Sequence, residues 1–273
     1  MNLQHIDPVP QLKSYIEKIW VFESNGPMPS DDMKLIVPNG RLLLVIPFRN
    51  SLTGKMGGKY YIAKTNRIAV TGMCDLATIV DTERFAPVGT IGVEINAIGA
   101  YRFFHLRLKD IKNQLHYLTD ILGKIAREIE LRIAESQSID EKINFIQQFL
   151  LSLFTRKEED RLFEYCIQRI MSKSGSIKIG ELEKETGYSS RWLNMKFEEK
   201  LGISPKNLGS LMRFHQYYHA LILNSVDFFN EKKFFNDYHD ESHFIKDFKR
   251  FTGLPPSKLI RSKNDFGGMF YQD

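Results

Sequence analysis

The C-terminal hundred residues contain one short pattern twice, and this repeat restricts the fold more than any other feature of the chain. Each copy reads as a turn, an amphipathic helix, a glycine that ends the helix and a proline that begins the next one. At an offset of 51 residues the copies align in five pairs, namely Leu193/Phe244, Phe197/Phe248, Gly202/Gly253, Pro205/Pro256 and Leu208/Leu259. A second helix after a tight turn is the element that enters a major groove in helix-turn-helix proteins. The repeat therefore predicts two such units in tandem.

The second copy, residues 238–259, has the clearest pattern. Phe244, Phe248 and Phe251 recur at positions i, i+4 and i+7, which puts three rings on one helical face. Gly253 suits a left-handed cap, and the two prolines after it prevent the helix from continuing. The residues left for the outer face are His243, Lys246, Lys249 and Arg250. Such a face suits nucleic acid, although a core helix with a solvated basic face has the same pattern.

Between the copies, the sequence predicts one long helix over about residues 205–224. Its 20 residues would span about 30 Å, and successive major grooves on one face of B-DNA are about 34 Å apart. A rigid spacer of this length allows both second helices to read one face of a duplex. Helical hairpins that stack as a solenoid satisfy the same pattern, so this alternative stays open. Lys206 and Arg213 on the spacer are weaker candidates for contact with DNA.

The first half of the chain carries strand signals. Between Met33 and about Val93, short runs rich in Ile, Val, Tyr and Phe alternate with turns such as PNG and TGKMGG. This spacing predicts an antiparallel sandwich or barrel. Helical periods begin near Ala97, and one helix with a broad apolar stripe is predicted over residues 139–154. That stripe suits packing either on the β-rich domain or on a second subunit.

Smaller signals mark the ends of elements. Tyr15, Ile19 and Phe22 have helix-like spacing ahead of the strand-like run IWVF. The expected helix N-caps are Thr119 or Asp120 and Ser138. The tail NDFGGMFYQD reads as frayed.

These elements predict a chain of two domains. The charged run at residues 155–160 is the expected linker between a domain over residues 1–157 and a second over residues 158–265. The predicted fold class is α+β. A β-rich barrel or sandwich with additional helices comes first, and an all-α domain of two helix-turn-helix units follows.

Charge and composition limit the class of protein. The net charge is +5, yet residues 158–273 hold 18 Lys and Arg against 17 Asp and Glu. Binding of nucleic acid must therefore depend on where charges lie on particular helices. No run approaches the roughly 18 apolar residues that cross a bilayer, and no secretory signal is visible. The two cysteines, 92 positions apart, suit a reducing compartment, so we expect a cytoplasmic protein without a membrane partner.

Signals for an enzyme or a metal site are weak. Two HxxxH pairs occur, His215/His219 and His239/His243, without a nearby cysteine or an HExxH carboxylate. Neither Cys74 nor Cys166 has a basic neighbour in sequence that would activate it. We therefore expect no catalytic residue, no bound metal and no cofactor. The alternative that stays open is a small-molecule-binding or metal-dependent β-barrel protein with a helical interaction module.

The repeat also carries motifs of a known family. From Ser189 to Pro205 the sequence is S-x-R-x-L-x-M-x-F…G-x-S-P, and from Asp240 to Pro256 it is D-x-S-H-F-x-K-x-F-K…G-x-x-P. Together, over about residues 161–262, these motifs resemble the DNA-binding domain of AraC/XylS-type transcription regulators. Residues 36–48 and 88–123 resemble parts of the β-rich N-terminal domain of a subset of these proteins.

The resemblance implies which side chains contact DNA. The residues at the matching positions are Ser190, Arg191, Asn194 and Met195 in the first unit and Glu241, Ser242, His243, Lys246, Lys249 and Arg250 in the second. Arginine pairs with guanine and asparagine with adenine. Lys249 and Arg250 suit phosphates better than bases, and His243 is equally suited to capping the turn.

Three departures from the family pattern concern affinity and sequence preference more than fold. The turn glycine of the first unit, Gly187, is replaced by Asp237 in the second. Glu183 and Lys233 stand where the family places a small alanine. Met195 replaces a common arginine, which removes one contact with a phosphate or a guanine.

The sequence thus predicts a one-component, bacterial-type, sequence-specific transcription regulator. Its two recognition helices read successive major grooves, and its N-terminal domain senses a ligand or mediates association. The expected partners are double-stranded promoter DNA, an unidentified small-molecule effector and a second copy of the chain.

Overall fold

The computed structural model describes residues 1–82, 87–104, 107–154, 160–222 and 241–271. The strands within these ranges are β1 (Asn2–Ile6), β2 (Ile16–Ser24), β3 (Leu35–Ile36), β4 (Leu42–Arg49), β5 (Leu52–Met56), β6 (Lys59–Ala63), β7 (Ala69–Thr71), β8 (Thr78–Thr82), β9 (Val88–Ile95) and β10 (Leu115–Tyr117). They form an antiparallel sheet of order β1-β2-β9-β4-β7-β10 and a smaller antiparallel sheet of order β3-β8-β5-β6.

The larger sheet is covered on both faces. Every residue of its inner strand β9 is buried, so this strand lacks the alternation of a half-exposed one. Ile91 and Val93 belong to a core that continues into the helices, whereas Val88 belongs to a cluster with Trp20 and Phe22. That second cluster includes Ile36, Leu52 and Val80 of the smaller sheet. The predicted β-rich domain is therefore a two-sheet sandwich with helices on one side.

The helices of the first half begin after the last long strand. They are α1 (Ala97–Phe103), α2 (Leu118–Leu122), α3 (Lys124–Glu135) and α4 (Ile139–Leu153), with short 3-10 helices at Pro10–Leu12 and Leu108–Ile111. Ser138 caps α4 as expected, because its hydroxyl accepts a hydrogen bond from the Glu141 N–H at 3.1 Å. The apolar stripe of α4 packs on α3 and the first 3-10 helix, within the same chain.

The second half is helical, which confirms the α+β class. Its helices are α5 (Arg161–Ser172), α6 (Ile179–Thr186), α7 (Ser190–Leu201), α8 (Pro205–Ile222), α9 (Glu241–Thr252), α10 (Pro256–Ile260) and α11 (Asp265–Met269). Gly187, Gly202 and Gly253 follow α6, α7 and α9 with φ of +74°, +76° and +77°. This left-handed conformation suits glycine, so the predicted stop signals are confirmed.

The two halves share one continuous core. Buried side chains run from the larger sheet through α1 into α5, α7 and α8. At the seam, Arg102 on α1 donates to the Glu164 carboxylate on α5 at 2.9 Å. The end of α7 approaches the second 3-10 helix so closely that a Cβ at Gly202 would lie 2.9 Å from the Leu108 carbonyl oxygen. The relation between the halves is thus fixed by tight packing.

Three local predictions were wrong. Tyr15, Ile19 and Phe22 do not lie on a helix, because Ile16–Ser24 is strand β2. Strand β2 is buried on both faces from Ile19 to Phe22, so its apolar residues have no period of two that would have revealed a strand. The residue that precedes α2 is Tyr117, and α3 follows Gly123, so neither Thr119 nor Asp120 is an N-cap.

The third wrong prediction concerns the tail, which is not frayed. Phe266 and Tyr271 are 4% and 3% exposed, and Phe266 packs with the sandwich residues Trp20 and Phe22. Other predictions lie outside the described residues: most of the linker at residues 155–160, the end of the spacer, and the turn of the second unit with Lys233, Asp237, Tyr238, His239 and Asp240. Within the described ranges, no helix has the length and hydropathy needed to span a bilayer.

Candidate nucleic-acid interface and interior cavity

Helix α7, the predicted first recognition helix, is held at its N-terminal end and along its inner face. The Ser189 hydroxyl accepts a hydrogen bond from the Trp192 N–H at 3.3 Å, and the Glu183 carboxylate accepts one from the Ser190 N–H. Leu193 and Phe197 are 1% and 0% exposed. Glu183 therefore caps the start of α7. The sequence pattern did not reveal this role of an acid at a position where the family has a small alanine.

The outer face of α7 brings four predicted residues together. Ser190, Arg191, Asn194 and Met195 line an open groove. Met195 is 54% exposed although it is apolar, so it is available to a partner. Two basic residues of the first half, Arg107 and Lys109, line the same groove. Sequence reasoning missed this pair because nothing local connects residues 107–109 with residues 190–195.

Helix α9, the predicted second recognition helix, is fixed by aromatic packing. Phe248 and Phe251 lie 5.5 and 5.0 Å, between ring centroids, from Phe214 of α8, and Phe244 lies 6.0 Å from Tyr217. All three α9 rings are buried, as their spacing predicted. The predicted contact residues on the exposed side are Ser242, His243, Lys246, Lys249 and Arg250, and the side chain of Glu241 lies outside the described residues.

A second groove runs between α7, α8 and α9 and is basic. The cationic residues that line it are Lys109, Lys112, Lys206, Lys246 and Arg250, against the acids Glu198 and Asp247 among the described residues. Lys109 and Glu198 line both grooves, so the two are neighbours. Arg213 of the spacer helix forms hydrogen bonds within the chain. It donates to the Gly175 carbonyl and, at 3.2 Å, to the Ser210 hydroxyl.

Arg250 is held by an acid of the first half. Its Nη2 lies 3.1 Å from Oδ2 of Asp75 and 2.9 Å from Oδ1 of Asn207. Asp75 also accepts hydrogen bonds from Asn113 at 2.6 Å and from Asn207 at 2.8 Å, and Lys112 lies 3.0 Å away. Burial raises the pKa of Asp75, but the hydrogen bonds from Asn113, Lys112 and Asn207 outweigh it and hold the pKa below its ordinary value. We name these residues the Asp75 cluster.

The sandwich borders a cavity of about 350 Å³. The side chains of Trp20, Leu43 and Val80 contribute an apolar lining from both sheets. The spacer helix α8 contributes His215 and His219. The cavity therefore touches both halves of the chain.

Residues 263–271, which we name the C-terminal strap, close one side of the cavity. Phe266 and Phe270 lie 5.2 and 4.9 Å, between ring centroids, from Phe22 and Trp20. The Tyr271 hydroxyl donates to the Val37 carbonyl at 2.9 Å. Burial raises the pKa of Tyr271 well above its ordinary value, so this hydroxyl keeps its proton at neutral pH.

The strap adds a local pairing to strand β3. Asn264 accepts a hydrogen bond from the Leu35 N–H at 2.7 Å and donates to the Leu35 carbonyl at 2.9 Å. Gly267 lies so close that a Cβ there would be 2.1 Å from the Leu35 carbonyl oxygen, which explains a glycine at this position. The strap thus joins the first half of the chain to the end of the second.

Within the part of the chain that the structure describes, no three His, Cys, Asp or Glu side chains converge as a metal site. Burial raises the pKa of Cys74 to about 12 and that of Cys166 to about 11, so neither thiol is activated as a nucleophile.

Comparison with known proteins gives two domain matches. A helix-turn-helix domain matches residues 182–262, and a domain of unknown function (DUF6597) matches residues 4–116. No curated protein matches the sequence.

Similar solved structures include two of ToxT from Vibrio cholerae. The P21 crystal form is 11% identical, with a TM-score of 0.49, over 90% of this chain and 98% of that one. The structure described as bound to unsaturated fatty acid is 12% identical, with a TM-score of 0.46, over 92% and 97%. The AraC-like transcriptional activator CuxR is 12% identical, with a TM-score of 0.29, over 80% and 86%.

Proposed function

Because this chain is a DNA-binding transcription regulator of the AraC family, we propose that α7 and α9 read successive major grooves of promoter DNA. In this reading Arg191 and Asn194 contact bases from α7, where arginine selects guanine and asparagine selects adenine. On α9, Ser242, His243 and Lys246 face the groove. Lys249 and, once it leaves Asp75, Arg250 bind phosphates.

The observation that carries this proposal is the pair of exposed polar helix faces on either side of α8. Each face belongs to a helix whose other side is buried, so the polar residues cannot turn inward without exposing the aromatic core. Helix α8 spans 18 described residues, about 27 Å at 1.5 Å per residue. The basic groove between the helices supplies the positive charge that a phosphate backbone requires.

Selection of genomic fragments by the whole protein, at moderate salt, tests the proposal. We expect one enriched motif, and Arg191→Ala should relax preference at one base position by about 1–3 kcal/mol. Arg127→Ala is the matched control, because Arg127 is exposed on α3, away from both grooves. Fragments recovered without any common motif would refute sequence-specific reading. An unchanged motif in Arg191→Ala would remove that residue from the interface.

The finer part of the proposal is that the N-terminal domain senses a small molecule in the cytoplasm. What supports it is the cavity, whose lining comes from the sandwich, the spacer helix and the strap. An occupant would contact α8 directly, and α8 carries the packing surface of α9. The test is whether a bound molecule changes the affinity of the protein for its selected DNA fragment.

We also propose that two copies associate on the promoter. Its support is the outer face of the smaller sheet, where Tyr60, Ile62 and Ile79 are 77%, 51% and 43% exposed. Strand β6 is the edge strand of this sheet. Sedimentation of the wild type and of Ile62→Lys tests the proposal, because a charge in that face should shift the protein toward monomer. Two identical monomeric profiles would refute it.

A further inference from the structure

Two residues that line the cavity each carry a buried polar atom without a hydrogen-bond partner among the described residues. They are Trp20 and Thr90, which are 6% and 1% exposed. Neither the Trp20 Nε1 nor the Thr90 Oγ1 makes a hydrogen bond within the described residues. A buried polar group without a partner costs about 1–3 kcal/mol, so two on one wall indicate a site that is completed by a ligand.

Both groups lie on the same face of the larger sheet. Trp20 of β2 pairs with Gly92 of β9, and Phe22 pairs with Thr90. A Cβ at Gly92 would lie 2.0 Å from the Trp20 ring, so the indole rests on the strand at a place that only glycine leaves open. Since Thr90 and Gly92 are two residues apart, the indole and the hydroxyl share one side of the sheet.

The chemistry of the other walls limits what can fill the site. The charged residues Lys18, Arg41 and Glu94 also line the cavity. Arg41 and Glu94 form an ion pair, and Lys18 lies opposite Glu94 in the register of β2 and β9. Asn39 donates to the same Glu94 carboxylate at 3.1 Å. The charges of Arg41 and Glu94 are therefore neutralised by each other. Much of the remaining lining is aliphatic or aromatic. A volume of about 350 Å³ is at the lower end for ligand pockets.

We propose that the cavity binds a small, uncharged, mainly apolar molecule through one accepting oxygen, held by the Trp20 N–H and the Thr90 hydroxyl. The C-terminal strap adds Phe270 to the lining, where its ring packs against that of Trp20. This assignment rests on the proposed sensing function, because it names the class of molecule that the N-terminal domain senses. The strap connects the occupant to α8, since the Tyr271 ring lies 5.3 Å from the His215 ring.

Three molecules of nearly equal shape test the proposal: cyclohexyl methyl ketone, ethylcyclohexane and cyclohexanecarboxylate. The ketone offers an accepting oxygen without charge, the hydrocarbon offers none, and the acid adds a charge. Ligand-observed NMR with the full chain gives the affinities. Emission of Trp20 in a Trp192→Phe background, which removes the other tryptophan, shows where binding occurs. We expect the ketone to bind about threefold or more tighter than either of the others.

Variants separate the hydrogen bonds from the apolar wall. Thr90→Val should reduce the ratio of ketone to hydrocarbon affinity toward one, because it removes the hydroxyl and nearly conserves shape. Trp20→Phe should reduce the same ratio by removing the N–H; because it also removes part of the ring, the ratio and not either affinity alone is compared. Phe270→Ala should weaken ketone and hydrocarbon by the same factor, because it removes only apolar contact.

Two results would overturn the assignment: equal affinities for ketone and hydrocarbon in the wild type, or tightest binding of the acid. Absence of binding by all three at millimolar concentration would overturn it as well. Ketone binding with the expected selectivity, but without any effect on DNA affinity, would support the ligand class and refute the proposed sensing function. The two failures are therefore distinguishable.

Discussion

Asp75→Asn should increase the affinity of the protein for DNA. In the present arrangement Asp75 of the first half holds Arg250 of α9 at 3.1 Å, within the basic groove. Asparagine has the same shape and no charge, so it can neither neutralise the guanidinium nor hold it with a charge-assisted hydrogen bond. Arg250 then becomes available to a phosphate.

The magnitude follows from the exposure of the pair. The Asp75 side chain is 8% exposed, but that of Arg250 is 47% exposed, so solvent screens the interaction substantially. An ion pair of this kind contributes about 1 kcal/mol, which corresponds to about fivefold in affinity when the competing contact is removed. One additional phosphate contact should also steepen the dependence of log affinity on log salt by about 0.9.

Fluorescence anisotropy with the selected promoter fragment, at several salt concentrations, measures both quantities. Asp81→Asn is the matched control, because it makes the same change of charge on strand β8 at an exposed position. In Asp75→Asn/Arg250→Ala the gain should disappear, since the group that was released is absent. The reasoning is refuted if folded Asp75→Asn binds DNA no more tightly than the wild type. It is also refuted if Asp81→Asn increases the affinity for DNA by the same factor as Asp75→Asn.

Three further predictions concern stability and reactivity. Gly92→Ala should lower stability by about 1–3 kcal/mol in thermal unfolding, because the new methyl group overlaps the Trp20 ring; an unchanged melting temperature would contradict the packing described. Burial raises the pKa of Asp160, but hydrogen bonds from Lys200 and the Phe163 N–H lower it further, so the pKa lies below its ordinary value of 3.8. Stability from this group is present above pH 4 and is lost as pH falls through the folded pKa, which melting temperatures between pH 6 and pH 3 would register. Cys74 and Cys166 should react slowly with a disulfide reagent at pH 8 and rapidly after denaturation, since burial raises both thiol pKa values above 10.

The sequence was informative where a structure depends on neighbours along the chain. The spacing of Leu193 and Phe197 sufficed to orient α7, and Gly202 and Gly253 marked helix ends because a left-handed residue favours glycine wherever it occurs. The prediction that Ser138 is an N-cap was correct for a similar reason, because an N-cap bonds only to the residues that follow it. The existence and type of these helices were predictable from local chemistry.

The sequence was misleading where burial comes from distant segments. The run from Ile19 to Phe22 gave no strand period because both faces of β2 are buried. Ile19 and Val21 pack into the core shared with the helices, and Trp20 and Phe22 pack with the smaller sheet and the strap. Phe266 and Tyr271 read as a frayed tail, although they find their partners some 230 positions earlier in the chain. The Asp75 cluster was equally hidden, since no pattern connects residue 75 with residue 250. Such contacts depend on the tertiary fold and leave no local signature.

The pairing of Asn264 with Leu35 has a consequence for how the protein can be made. A contact across 229 positions cannot form until residues 264–271 have been synthesised, so the sandwich leaves the ribosome with Trp20 and Phe22 uncovered. The same holds for an isolated fragment of residues 1–157, which lacks the strap. We expect that fragment to aggregate during expression, and we expect a synthetic peptide of residues 260–273 added in trans to keep it dispersed.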